Sequence, residues 1–314
     1  MIGCCCICRT HKYSPSQAAT NVKRLVQQSD VTAIFVPHTG GVFALQDFNV
    51  EDDFLIMAYT SMPSVTQRGN LLTLRIPPQF SGYFDAFSDY ALEHYGKKLG
   101  AAGATHEYAK IWTDMILDAW KEKGGEVVAL NPMDYNKSAD FYTGVSRVMA
   151  ANPDVMFVGG ASEPTGLVIR QARQLGFQGP LILMDQAKLD EVAKVAGGLD
   201  MLEVSIGVVP LSVYETPAAK SFIERYQTEH DKMPGSEAAY NYLALHALVK
   251  AMQLAGSAEP QQVRSHMDEA LKEMGSQYNV YGVKGVTDDG GFITDTTMAV
   301  VEDGQIVQKP IETN

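Results

Sequence analysis

Cysteine is missing from Lys12 to Asn314; all four cysteines of the 314-residue chain stand at positions 4, 5, 6 and 8. A core without thiols is indifferent to redox state and suits either compartment. Cys5-x-x-Cys8 opens a metal or redox reading, but such a site needs a second ligand pair and no further cysteine supplies one. Long apolar runs are missing too. None approaches the roughly 18–20 residues that span a bilayer, so the fold is expected outside the membrane. Positive charge is scarce, with 25 Lys and Arg against 37 Asp and Glu and a net charge of −12. That surface repels phosphate backbones, and no nucleic-acid partner is expected. Enzyme signatures fail as well. "GAAGA" (100–104) lacks the third glycine of a dinucleotide fingerprint and an acid about 20 residues on. There is no G-x-S-x-G elbow. His38, His94, His106, His230, His246 and His266 never pair at zinc spacing on one helix. The expectation is no enzyme, no cofactor, no metal and no catalytic residue.

What is present is a steady alternation of strand and helix patterns. Ser14-Pro15 with Gln17 makes a capping pattern before a helix whose apolar face carries Ala18, Ala19, Val22, Leu25 and Val26. "VTAIFV" (31–36) and "FLIMAY" (54–59) read as strands buried on both faces. A helix over 82–94 precedes strand 98–103. The next helix carries a stripe of Tyr108, Ile111, Trp112, Met115 and Ala119 and ends at Gly124-Gly125. Strand 126–130, helix 139–151, strand 154–160, helix 164–175, strand 180–185, a short helix to Val195, strand 203–209 and helix 216–230 follow. Helices over 236–255 and 260–274 come next without a strand between them. "TMAVVEDGQIVQK" closes as a hairpin on a type I′ Asp303-Gly304 turn. Repeated β-α units imply α/β architecture with parallel sheets flanked by helices. The proline-bearing stretches "RIPPQF" (75–80) and "VVPLSVYETP" (208–217) break a single sheet. If both cross between lobes, each lobe is built from separated segments, 1–78 with 209–285 and 79–208 with 286–314. A ligand cleft is then expected at the strand C-termini between the two Rossmann-like lobes.

The ordered series "YSPSQAATNVKRLV", "FVPHTGG", "AYTSMPSVTQRGNLLTLR", "DFYTGVSRVMAANPDVMFVGG", "GLVIRQARQLGFQGPL" and "TPAAKSFIERYQTEHDKMPGSEAAYNYLALHALVKAMQLAGS" resembles the type I periplasmic binding proteins. The closer resemblance is to the leucine/isoleucine/valine receptor branch of ABC uptake systems, from about Lys12 to the C-terminus. In that family a first strand, a first helix and a signal peptide precede the strand ahead of "YSPSQAA". Ile2–Cys8 falls in that second strand's place, so the resemblance implies an atypical, N-terminally shortened start, and the chain as written carries no signal peptide. A lobe 1 without its first strand and helix would expose apolar edges, and lower stability is expected than for an upstream-restored chain.

The resemblance also implies a ligand site. The Ser/Thr-rich loop that receives a ligand carboxylate maps to Thr39 and Gly40, at the strand-to-helix turn "PHTGG" whose N–H groups face an anion; a plain glycine turn is the other reading. In "AYTSMP" the ligand-facing groups map to Tyr59 and Ser61. Tyr59 stands where the family usually has Ala, and Ser61 could instead cap a turn before Pro63. From lobe 2, "THEYAK" places Tyr108 over the cleft, though Tyr108 also fits the core stripe of its helix. Ala161 replaces a common aromatic after Gly159-Gly160. Asp185, ending "LMD", maps to the acid that pairs the ligand ammonium, and a structural Lys or Arg could pair it instead.

The implied function is a periplasmic or extracytoplasmic solute-binding receptor of an ABC uptake system. It would take an amino acid, an amide or an aromatic acid by hinge closure, with ABC permease subunits as membrane partners. A cytoplasmic ligand sensor of the amide-regulator type on the same fold, or a non-binding shortened relic, remain alternatives.

Overall fold

The computed structural model describes residues 14–311. The cysteine-bearing start, with the strand and metal readings made for it, lies outside the described residues. In chain order the elements are α1 (Pro15–Gln28), β1 (Ala33–Val36), α2 (Thr39–Gln46), β2 (Leu55–Ala58) and β3 (Thr73–Arg75). Then come α3 (Ser81–His94), β4 (Lys98–Gly103), α4 (Glu107–Glu122), β5 (Glu126–Leu130), α5 (Tyr142–Met149) and β6 (Val155–Gly159). These lead to α6 (Ser162–Gln174), β7 (Leu181–Leu183), α7 (Leu189–Ala196) and β8 (Ile206–Val208). Helices α8 (Pro217–His230), α9 (Ser236–Ala255), α10 (Pro260–Ser265) and α11 (Met267–Glu273) follow. The chain closes with β9 (Gly285–Val286), β10 (Phe292–Ile293), β11 (Thr297–Glu302) and β12 (Gln305–Pro310).

Contacts divide the chain into two compact units. One holds the described residues up to Phe80 together with Tyr214–Asp295; the other holds Ser81–Val213 and the residues from Thr296 onward. The first contains a parallel sheet of order β1-β2-β3 and the small β9-β10 hairpin. The second contains a sheet of order β12-β11-β8-β7-β6-β4-β5, parallel from β8 to β5 and antiparallel at β11 and β12. This is the α/β, Rossmann-like architecture that the alternating pattern implies. Segment 286–295 departs from the expected division, because it packs in the first unit. Arg75 N donates to Gly290 O at 2.9 Å, and Asp268 of α11 accepts from Val286 N at 2.9 Å. The backbone needs of β3's free edge therefore hold the hairpin there.

Local chemistry explains the helix ends. Ser14 Oγ accepts from Gln17 N at the start of α1, which buries Ala18, Val22 and Leu25. Thr216 caps α8 through Ala219 N at 3.1 Å, with Pro217 in the first turn. Asp303 (φ 52°) and Gly304 (φ 69°) both take the left-handed conformation that a type I′ hairpin turn demands. The helix expected over 260–274 is broken at His266 (φ −98°, ψ 3°). Strand β5 ends the larger sheet, so it is only half-buried and leaves Leu130 52% exposed. Among the described residues no helix is long and apolar enough to cross a membrane.

The stripe of α4 also differs from expectation. Its buried residues are Ala109, Trp112, Thr113, Ile116, Leu117, Ala119 and Trp120, while Met115 is exposed and Tyr108 and Ile111 are half-buried. Two tryptophans at 112 and 120 define the inner face, because the largest side chains gain most from burial. Tyr108 is thereby left at the edge of that face.

His106 starts α4 by accepting from Ala109 N through Nδ1 at 3.2 Å. Burial holds its imidazole below the ordinary histidine pKa, so the folded chain keeps it neutral. The unfolded chain takes up that proton near pH 6.5, and the folded chain only at lower pH. Stability from this cap is therefore complete above about pH 6.5 and falls as the pH drops toward the folded-state value. Thermal melts between pH 7.5 and 5 should show this loss, worth roughly 1 kcal/mol for a side-chain cap. His106→Asn, which keeps an acceptor that does not titrate, should remove the His106 share of the slope. It should leave that of His246, whose imidazole is likewise held low by burial and the Arg225 charge. An unchanged slope in that variant would refute the assignment to His106. The stability from the lowered carboxylates Asp268, Asp289 and Glu302 is complete above the ordinary carboxylate range and is lost only below it, so it does not change across this window.

Candidate functional site

In the larger sheet the chain places β5 on one side of β4 and β6 on the other. That reversal makes a switch point, where loops leaving the strand C-termini diverge and make room for a ligand. The sequence-derived residues of this unit sit in those loops. Tyr108 lies in the first turn of α4, four residues after Ala104, which ends the pairing of β4. Ala161 follows β6 and Asp185 follows β7.

Asp185 is 5% exposed, and its carboxylate accepts from the Tyr108 phenol at 2.7 Å. An O–H···O bond to a carboxylate is among the stronger kinds, and it fixes the direction in which the acid presents charge. Tyr108 is half-buried, at the edge of the face that Trp112 and Trp120 bury. The Lys188 ammonium donates to the Asp185 main-chain carbonyl, which ties the loop after β7 to the start of α7.

Ala161 is exposed and caps α6 without a side-chain bond. The neighbouring Ser162 hydroxyl donates to Glu191 at 2.7 Å and accepts from Lys188 N at 3.0 Å. Gly160 is glycine for a steric reason, since a Cβ there would stand 2.4 Å from the Tyr135 ring. Tyr135 is buried, and its hydroxyl donates to Ala102 O at the end of β4. An aromatic ring thus supports the loop after β6 from a different chain position, and no local signal in the sequence points to it.

The first unit presents its own set at the C-termini of β1 and β2. His38 Nδ1 accepts from Gly41 N at 2.9 Å, which leaves the main-chain amides of Thr39 and Gly40 as first-turn donors that α2 does not consume. A Cβ on Gly40 would come within 2.9 Å of Pro15 Cγ, so close approach of α1 demands glycine there. The Thr39 and Thr60 hydroxyls are hydrogen-bonded at 2.7 Å. Thr60 also accepts from Met62 N at 3.3 Å, so Thr60, and not Ser61, serves the turn before Pro63. Ser61 offers its carbonyl to Phe80 N at 3.0 Å. Tyr59 is half-buried, with its ring centroid 6.0 Å from that of Tyr240 on α9. Thr60 lies inside the recognised "AYTSMP" stretch and could have been singled out as its second hydroxyl; Tyr240 lies 180 positions beyond Thr60 and could not.

The structure therefore joins Tyr108 to Asp185 in one unit, and Thr39 to Thr60, next to Tyr59 and Ser61, in the other. Among the described residues no group of three or more His, Cys, Asp or Glu side chains is arranged to hold a metal ion. One set offers a carboxylate with a phenol; the other offers amides and hydroxyls.

The profile of the family described as periplasmic binding protein matches residues 6–305. An amino acid binding protein of Pseudomonas aeruginosa is 24% identical over 253 residues, 78% of this chain and 66% of that protein. A Leu/Ile/Val-binding protein homolog of Brucella melitensis is 27% identical over 221 residues, 70% of this chain and 57% of its own length. The matches thus span less than two thirds of these curated relatives. Among solved structures, the leucine binding protein LivK of Thermotoga maritima superposes with a TM-score of 0.76 at 22% identity, covering 95% of this chain and 84% of that one. LivJ of Streptococcus pneumoniae, solved with isoleucine, gives 0.78 at 19% identity, covering 96% and 85%.

Proposed function

Since the chain belongs to the periplasmic binding protein family, we propose that it is a solute-binding receptor for an amino acid or a related small polar ligand, working with an ABC uptake permease outside the cytoplasm. The observation that carries this reading is the bond from Tyr108 to the buried Asp185 carboxylate at the switch point of the larger sheet. A buried carboxylate whose direction is fixed by a phenol donor suits a ligand ammonium group. The amides of Thr39 and Gly40, with the Thr39–Thr60 hydroxyl pair, suit a carboxylate at a helix N-terminus. Tyr59, Ser61 and Ala161 would wall the remainder of the ligand. Hinge closure is the mechanism: ligand that engages both units favours the closed state, which the permease then recognises. The relatives named for amino acid binding support the ligand class. Nothing in the donor set calls for catalysis, and the reading is of a receptor, not an enzyme.

A melting-temperature screen against the twenty amino acids, followed by calorimetry on the hits, tests the reading. At least one should raise the melting temperature and bind near micromolar, about −8 kcal/mol. Tyr108→Phe, which deletes only the hydroxyl, should weaken that ligand roughly tenfold and also lower the melting temperature of the free protein, because the buried Asp185 carboxylate loses a donor. Failure of every amino acid to bind would remove the proposal.

A further inference from the structure

Four tyrosines of the first unit form one continuous run of rings. Tyr59 follows β2, and its ring is tilted 50° to that of Tyr240 at 6.0 Å. Tyr240 is stacked on Tyr281 at 3.8 Å and 17°, and Tyr281 meets Tyr214 edge-on at 4.9 Å and 86°. Tyr281 is 8% exposed and its hydroxyl donates to Ser236 O at 3.3 Å, so the base of the run is pinned. Tyr59 and Tyr240 are half-buried and complete the run toward the C-terminal end of β2.

From this arrangement we infer that the receptor takes a ligand bearing a flat aromatic ring, an aromatic amino acid in the first place, received against Tyr59 and Tyr240. The inference rests on the receptor reading and narrows its ligand class. Rings already held by neighbours lose little freedom when a ligand arrives. Two tilted rings offer a face and an edge, the geometries in which aromatic pairs gain energy beyond area burial. An aliphatic side chain gains only the area. The Thr39–Thr60 hydroxyls, adjacent in sequence to Tyr59, would hold the carboxylate end of the same ligand.

Calorimetry on the full chain with L-phenylalanine, L-tyrosine, L-leucine and benzoate tests the inference. The wild type should bind L-phenylalanine or L-tyrosine at least tenfold more tightly than L-leucine. Tyr59→Leu should lower that ratio at least tenfold and Tyr240→Leu at least threefold, in variants whose melting curves show a folded protein. If Tyr59→Leu does not fold, Tyr240→Leu and the wild-type ranking decide. Equal or tighter binding of L-leucine overturns the inference and leaves the amino-acid receptor standing. An aromatic preference unmoved in folded variants also overturns it. Binding of benzoate with no amino acid keeps the aromatic wall and removes the amino-acid reading. Binding of none of the four overturns the inference, and the screen of all twenty amino acids then decides the receptor reading separately.

Discussion

Asp185→Asn is expected to weaken an ammonium-bearing ligand by about 2–5 kcal/mol, the usual cost of truncating one partner of a buried, hydrogen-bonded charge pair. That range corresponds to roughly thirty-fold to a few thousand-fold in dissociation constant. The substitution keeps the shape of the side chain and an acceptor for the Tyr108 phenol, now 2.7 Å from the carboxylate, and removes only the negative charge. Folding should be little affected, since an amide is cheaper to bury than a carboxylate at 5% exposure. Calorimetry with the best-binding amino acid, together with a melting curve of the ligand-free variant, separates the two effects. Affinity within threefold of wild type would show that the acid serves the fold and not the ligand. A benzoate-type ligand without an ammonium should be insensitive to the change, which makes the variant diagnostic of ligand charge.

Trp112→Ala should carry the largest stability cost. The indole is fully buried, meets Phe84 edge-on at 4.6 Å, and lies parallel to Phe157 at 5.7 Å and 6°. It therefore joins α4, α3 and β6 at one point. Deleting a buried aromatic ring leaves a cavity and costs about 3–5 kcal/mol. For a folding unit of this size that corresponds to a melting point lower by roughly 6–20 °C. Trp112→Phe should recover most of the loss, because the neighbouring rings keep an aromatic partner. Differential scanning calorimetry of the three proteins checks the order. A Trp112→Ala melting point within 2 °C of wild type would mean that α4 is not anchored there. The result bears on function too, since α4 carries Tyr108 in its first turn and a loosened helix would misplace the phenol.

Local chemistry was the legible part. Ser14-Pro15 and Thr216-Pro217 announce helix starts, and Asp303-Gly304 announces a hairpin, because each acts within three or four residues. The order of strands and helices was legible for the same reason, from the period of apolar residues. The stripe of Tyr108, Ile111, Trp112, Met115 and Ala119 held at Trp112 and Ala119, while Trp120 with Trp112 turned the buried face so that Met115 is exposed and Tyr108 and Ile111 are half-buried. Likewise the hydroxyl that serves the turn after β2 belongs to Thr60 and not to its neighbour Ser61, a choice made by main-chain direction and not by residue type.

By itself the sequence determined the α/β alternation and the helix caps, which follow from forces acting over a turn of helix or a pair of strand residues. Asp185, Tyr108, Thr39 and Tyr59 were pointed out by the family resemblance. Tertiary structure alone decided which of them meet. It sets the Tyr108 phenol on Asp185, seats Tyr135 under Gly160, and stacks Tyr240 on Tyr281 behind Tyr59. Such contacts join positions tens to hundreds of residues apart, and their selection comes from filling a common core, where volume and ring geometry count and separation along the chain does not.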